Sequence, residues 1–416
     1  MFRTVLNLLF ALLFFYSHVY SQDINYARSV IDTLCSPAMH GRGYVNQGDR
    51  IAARYISNEF AKHGLKLFGK NYFQHFRFSV NTFPGKMMLK VNGQLLKPGT
   101  DYLIDPSSHR IKGKYKLYRV ASTSIRGTKD LLKNRFLLVD KSEAVTKDEQ
   151  GAMDLWITKP AGAKGVMMIE DNKLVWSVSR KQLKHPVFRI LRKSLPENPA
   201  EIEVKAEACF KKKYRTQNVI GFLPGTQYPD SFIVFTAHYD HLGRMGKEIM
   251  FPGANDNASG VAMMLNLLAH YSKNPLSYSV AFIAFAGEEA GLLGSEYFVK
   301  NPLIPLKQIK FLLNMDLLGT GDDGLMVVNG EIFKEHFQIL ESLNKEKNYV
   351  VSLQKRGKAR NSDHYWFTER GVPAFFIYTL GGISYYHDIL DRPETLPLTD
   401  FEDVFRLIVD FTARLP

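Results

Sequence analysis

The sequence predicts an α/β protein: a mixed, largely parallel central sheet flanked by helices, with an inserted, mainly β domain. Three observations predict it. From Thr216 onward, continuous apolar runs alternate with helical stripes in a strand, loop, helix order. Runs without polar alternation belong to strands covered on both faces, which is the parallel-sheet case. Over residues 83–213 the pattern changes to short β-like runs separated by Lys, Gly and Pro clusters.

The 416 residues are 45% hydrophobic and 23% charged, a globular composition long enough for two or three domains. Residues 1–21 read as a signal peptide. Arg3 flanks an apolar run over 5–16, and Val19-Tyr20-Ser21 resembles a cleavage site. The run is shorter than the roughly 20 residues of a membrane span. The expectation is an exported protein, periplasmic or extracellular, with no stable membrane anchor. Two cysteines follow, Cys35 and Cys209. In an oxidising compartment they either pair or remain separate buried thiols. The net charge is +13, but Lys and Arg are spread along the chain. The one tight basic run, 211–215, flanks a domain boundary and accompanies no nucleic-acid motif, so no nucleic-acid partner is expected.

Taken in order, residues 22–82 are the first part of the main domain, 83–213 the insert, and 214–416 the rest. A helix over 49–64 carries Ile51, Ala52, Tyr55, Ile56, Phe60 and Ala61 on one stripe. Gly64 stops it. In the insert, 136–139 and 165–169 read as strands. In the main domain, 232–237 is a buried strand. The helix over 258–271 follows, with Val261, Met264, Leu265 and Leu268 on one face. Strands over 280–286, 310–315 and 373–378 and a closing helix over 402–414 complete it. In such sheets, sites form outside the carboxyl ends of the strands.

Five side chains stand in the loops around these strands: His238, Asp256, Glu289, Asp316 and His387. Imidazoles and carboxylates are the groups that hold two divalent metals about 3.5–4 Å apart, one carboxylate shared between them. His238 ends the first strand. Asp240, two residues on, is placed to accept the other imidazole N–H and fix the tautomer. His241 is a further candidate, less well placed. Asp256, among small residues and amides before a helix, is the best bridge, although Asp256 or Asn257 could equally be a helix N-cap. Glu288 and Glu289 follow a strand and open a helix. Neighbours on a helix point about 100° apart, so Glu289 can bind metal while Glu288 faces an activated water. A buried pair of like charges is costly unless cations compensate. Zinc suits the His/carboxylate set, with manganese or cobalt as substitutes.

The segments "NVIGFLPGT", "AHYDHLG", "GANDNASGVAMML", "FAGEEAGLLGSEYF", "NMDLLG", "SDHYWF" and "YYH" occur in the order seen in the co-catalytic zinc metallopeptidases. Residues 24–78 and 218–414 thus resemble the family of bacterial leucyl aminopeptidases, aminopeptidase Y, glutamate carboxypeptidases and glutaminyl cyclases. The resemblance implies a zinc-exopeptidase fold and two Zn2+. One would be held by His238, Asp256 and Asp316, the other by Asp256, Glu289 and His387. It also implies Glu288 as general base, Asp240 behind His238, and a cis peptide at Asp256-Asn257. The insert resembles a protease-associated domain through "RFLLVDK" and "AGAKGVMMI". Around the last ligand, His387-Asp388-Ile389-Leu390-Asp391 departs from the more extended family pattern, which leaves the substrate-facing loop open. His364 and Tyr386 are possible extra donors to the oxyanion. The implied activity is an aminopeptidase acting on peptides. Rivals are a glutaminyl cyclase, a carboxypeptidase for acidic C-termini using Arg356, Lys358 and Arg360, and a non-catalytic binding protein. The intact ligand set speaks against the last.

Overall fold

The structure, a computed structural model, describes residues 23–120 and 129–416. The expected signal peptide lies outside the described residues. Among the described residues, no helix is long and apolar enough to cross a membrane.

The main sheet has eight strands: β1 (Phe73–Thr82), β2 (Cys209–Leu223), β3 (Tyr228–His238), β4 (Tyr278–Phe285), β5 (Ile309–Met315), β6 (Gly324–Val328), β7 (Leu353–Arg356) and β8 (Ala374–Leu380). Their spatial order is β1-β2-β4-β3-β5-β8-β6-β7. The four central strands β4, β3, β5 and β8 are parallel. β1, β2 and β6 join antiparallel, which makes the sheet mixed.

The apolar runs explain why the centre is covered twice. Side chains alternate across a strand. Ile233, Phe235 and Ala237 face one core with Phe282, Leu313 and Ile377, under helices Ile24–Cys35, Gly260–Tyr271 and Phe401–Ala413. Phe232 and Val234 face the other with Ile283, Leu312 and Phe298, under helix Leu293–Lys300. The Ile24–Cys35 helix buries Ala27, Val30, Ile31 and Leu34, the three-four spacing of one helical face. Asp23 caps it, accepting from the backbone N–H of Asn25 and Tyr26. The expected helix over 49–64 is Gly48–Lys62. It buries Ala53 rather than the exposed Ala61, because its inner face is turned one position further round.

The insert forms a second eight-stranded sheet between Met87 and Ala206. It is mainly β, but its strands Ile111–Val120, Arg135–Asp140, Gly165–Glu170 and Val187–Leu191 run parallel, and helix Lys147–Thr158 makes one of the crossovers. Its hydrophobic core also takes in Leu242, Met245 and Phe251 from the main domain. Insert and main domain therefore share a core rather than meeting through a linker. Both cysteines are free. Cys35 is buried and Cys209 exposed, so neither expected arrangement, a bridge or two buried thiols, describes them.

Candidate metal centre

Every residue singled out as a metal ligand lies at the carboxyl end of the parallel strands, where the crossing of chain connections opens a crevice. His238 is the last residue of β3. Glu288 and Glu289 follow β4, Asp316 follows β5, and His387 lies in the loop after β8. Asp256 stands in the turn Ala254–Ser259 that leads into helix Gly260–Tyr271, and its peptide bond to Asn257 is cis. Contrary to expectation, Glu288 and Glu289 do not open a helix. Gly287, Gly291 and Leu292 have φ of 73°, 104° and 60°, which keeps this stretch a turn until Leu293.

Asp256 stands between the two histidines. Its Oδ1 lies 3.4 Å from His238 Nε2 and its Oδ2 3.1 Å from His387 Nε2. Asp316 Oδ2 is 3.2 Å from His238 Nε2, and Glu289 Oε2 is 3.2 Å from His387 Nε2. Each imidazole thus meets one oxygen of Asp256 and one oxygen of a second acid. Glu288 has a ligand atom within 4.8 Å of those of His238 and Asp316. It also lines a cavity of about 210 Å³ with Asn361, Phe376, Tyr378 and Tyr386.

Four acids, Asp256, Glu288, Glu289 and Asp316, crowd the two buried imidazoles. Burial disfavours an imidazolium, yet Glu289 and Asp256 push His387 up to about 11. Against the same burial, Asp316 and Glu288 raise His238 well above its usual range. Burial lifts Glu288 well above the usual carboxylate range; Glu289, Asp363 and Asp316 add to this and His238 opposes it. Asp316 Oδ1 is buried with no hydrogen-bond partner. Divalent cations would supply both compensating charge and the missing partner, and the N/O donor set fits zinc.

The surrounding shell differs from expectation in one respect. His238 Nδ1 donates to the backbone carbonyl of Asp240 at 3.1 Å, while the Asp240 carboxylate stays 3.9 Å away. That carboxylate instead accepts from Tyr44 Oη at 2.6 Å and from the Glu288 N–H at 3.2 Å. The Asp240 side chain is thus turned to the Glu288 turn. Tyr44→Phe should weaken metal retention or activity about tenfold, the lower end for loss of an outer hydrogen bond. Chelator titration of the purified variant checks this. His241 Nδ1 is 2.7 Å from Glu289 Oε1, so it backs the oxygen that His387 does not face.

The remaining candidates separate. Tyr386 lines the cavity and stacks on His387 with ring centroids 3.8 Å apart. His364 is buried against Phe376 and does not line it. Lys358 pairs with Glu369 and Arg360 lies over Trp366. Neither these two nor Arg356 is among the lining residues.

Sequence reasoning missed three further supports besides Tyr44. Arg42 is fully buried and donates to the carbonyls of Tyr239 (2.8 Å), Leu34 (3.1 Å), Pro252 (2.6 Å), Gly253 (2.7 Å) and Asp256 (3.3 Å). Asp391 is buried and accepts from the N–H of Asn255 (2.7 Å) and Asp256 (3.0 Å). Arg42 and Asp391 therefore hold the Asp256 turn from both polarities. The third support comes from the insert: Trp176 O lies 2.8 Å from His387 Nδ1.

A family model described as "Peptidase family M28" matches residues 218–412. Aminopeptidase YwaD of Bacillus subtilis is 29% identical over 235 residues, 51% of this chain and 47% of that protein. The chain spans about half the length, or less, of the curated relatives it matches. The structure of BSAP, a zinc aminopeptidase from Bacillus subtilis, superposes with a TM-score of 0.71 at 21% identity, covering 94% of this chain and 95% of that one. An aminopeptidase from Aneurinibacillus sp. strain AM-1 gives 0.64 at 20% identity, covering 95% and 94%. At these identities the two structures speak for the fold.

Proposed function

We propose that this chain, whose residues 218–412 belong to peptidase family M28, is a zinc-dependent exopeptidase, an aminopeptidase that hydrolyses N-terminal residues from peptides. One observation carries the reading: the two oxygens of Asp256 face two different imidazoles, each completed by a second acid. That is the donor arrangement for two metals sharing one carboxylate. His238, Asp256 and Asp316 would hold one Zn2+, and Asp256, Glu289 and His387 the other. Bound there, zinc polarises the scissile carbonyl and makes water a nucleophile near neutral pH.

The protein's own groups do the rest. Glu288, at the cavity wall, takes the proton from the attacking water and returns it to the leaving amine. Asp240 accepts from the Glu288 N–H and so fixes the turn on which the base sits. Tyr386, which lines the cavity, would donate to the developing oxyanion. The Arg3-flanked apolar run supports export to the periplasm or medium.

The test is a panel of aminoacyl chromogenic substrates and N-terminal glutamine peptides, with and without chelator. Hydrolysis lost on chelation and restored by zinc is the expected result. At zinc 100-fold above its dissociation constant, the restored protein should also gain about 2.7 kcal/mol of stability. Cyclisation of glutamine without hydrolysis would replace the aminopeptidase reading with a cyclase.

A further inference from the structure

We propose that a strap of the insert, residues 173–176, is a positioning element of the His387 metal subsite. His387 has φ of 54°, a left-handed conformation uncommon for a non-glycine residue. The insert braces it. Trp176 and His387 exchange two bonds. The Trp176 N–H donates to the His387 carbonyl at 3.3 Å, and His387 Nδ1 donates to the Trp176 carbonyl at 2.8 Å. A carbonyl only accepts, so this contact fixes the proton on Nδ1 and turns Nε2 toward Asp256 and Glu289.

Lys173 staples the same loop from the other side. Its Nζ donates to the carbonyls of Ser384 (2.5 Å) and Tyr386 (3.3 Å) and lies 3.3 Å from Asp388 Oδ2. The strap is itself anchored. Trp176 stacks on Phe251, centroids 4.8 Å apart, and its Nε1 donates to the Ile104 carbonyl at 2.7 Å inside the insert. The insert thus reaches a ligand candidate through one backbone carbonyl, and the Lys173 staple keeps that carbonyl in range.

The inference rests on the two-zinc reading, and its experiment separates the two. Zinc content and chelator-competition affinity are measured on the full chain, on Lys173→Met, on Lys173→Arg and on the control Lys184→Met. Lys173 is partly exposed, so its loss does not threaten folding. The expected result is two zinc ions in wild type and control. In Lys173→Met, one ion should be released about 10- to 100-fold more easily, the usual effect of losing an outer partner. Lys173→Arg, which keeps donors toward the two carbonyls, should recover most of that affinity. The His387 Nδ1 proton resonance of the zinc-free protein should broaden in Lys173→Met alone, a readout that needs no metal. Two tightly held ions in Lys173→Met with an unchanged resonance would overturn the strap and leave the metallopeptidase reading intact. Fewer than one zinc in wild type would overturn that reading, and the strap as a metal-positioning device with it.

Discussion

Glu288→Gln is expected to lower kcat by about 10²–10⁴ while both zinc ions stay bound. The geometry separates the two functions of the acidic pair. Glu289 Oε2 faces His387 Nε2 and Oε1 takes the contact from His241, so both of its oxygens are committed. Glu288 faces the cavity and is not among the groups in ion-pair contact with His387. Glutamine preserves its size and its backbone bond to Asp240 and removes only the ability to take a proton. KM should change little, because the substrate groups met before reaction are the same. Zinc analysis and steady-state kinetics on the same preparation check it. Full activity at full zinc content would remove Glu288 from the chemistry.

Arg42→Met is expected to cost about 3 kcal/mol or more, the penalty for leaving several buried carbonyls without a donor. The guanidinium has no carboxylate among its hydrogen-bond partners; it spends its donors on five carbonyls from three separate segments. Methionine fills similar volume but leaves those carbonyls buried and unpaired, each costing about 1–3 kcal/mol before relaxation. Two of them, Gly253 and Asp256, belong to the turn that carries the shared carboxylate. The variant should therefore melt earlier and also hold zinc less tightly. A melting temperature within about 1 °C of wild type, the shift for roughly 1 kcal/mol in a chain of this size, would show that water or repacking replaces the guanidinium.

What the sequence makes legible follows from what each residue needs. Strands β3, β4, β5 and β8 are buried on both faces and therefore nearly free of polar residues, so they stand out. The acids and imidazoles that end them contrast with those runs. β6, Gly324–Val328, is apolar but only five residues long, and β7 does not stand out. β7, Leu353–Arg356, is an edge strand with Gln, Lys and Arg exposed, and its composition is that of a loop. Arg42, Tyr44 and Asp391 are polar or aromatic residues with ordinary surface compositions, and only tertiary contact reveals their burial. Arg42 does sit between two glycines, Gly41 and Gly43. Both approach Gly243 so closely that a Cβ would lie within 2.6 Å of its backbone. Small residues around a buried side chain were the available signal. Trp176 acts through its carbonyl, which every residue has, so no side-chain pattern could have marked it.

The register at the insert's root also bears on the order in which the molecule folds. Thr82 of β1 pairs with Cys209 of β2, and a few residues inward Met87 pairs with Ala206 in the insert's own sheet. Closing a flexible loop of that length costs entropy that grows as about (3/2)RT ln n. A folded insert already holds its two ends as neighbours, so β1 then meets β2 almost as the arms of a hairpin. In the reverse order β2 would wait with an open edge carrying Val219, Ile220 and Phe222, the kind of unpaired apolar strand that recruits other chains. The insert-first route is the one with the lower entropic barrier and the shorter exposure of that edge.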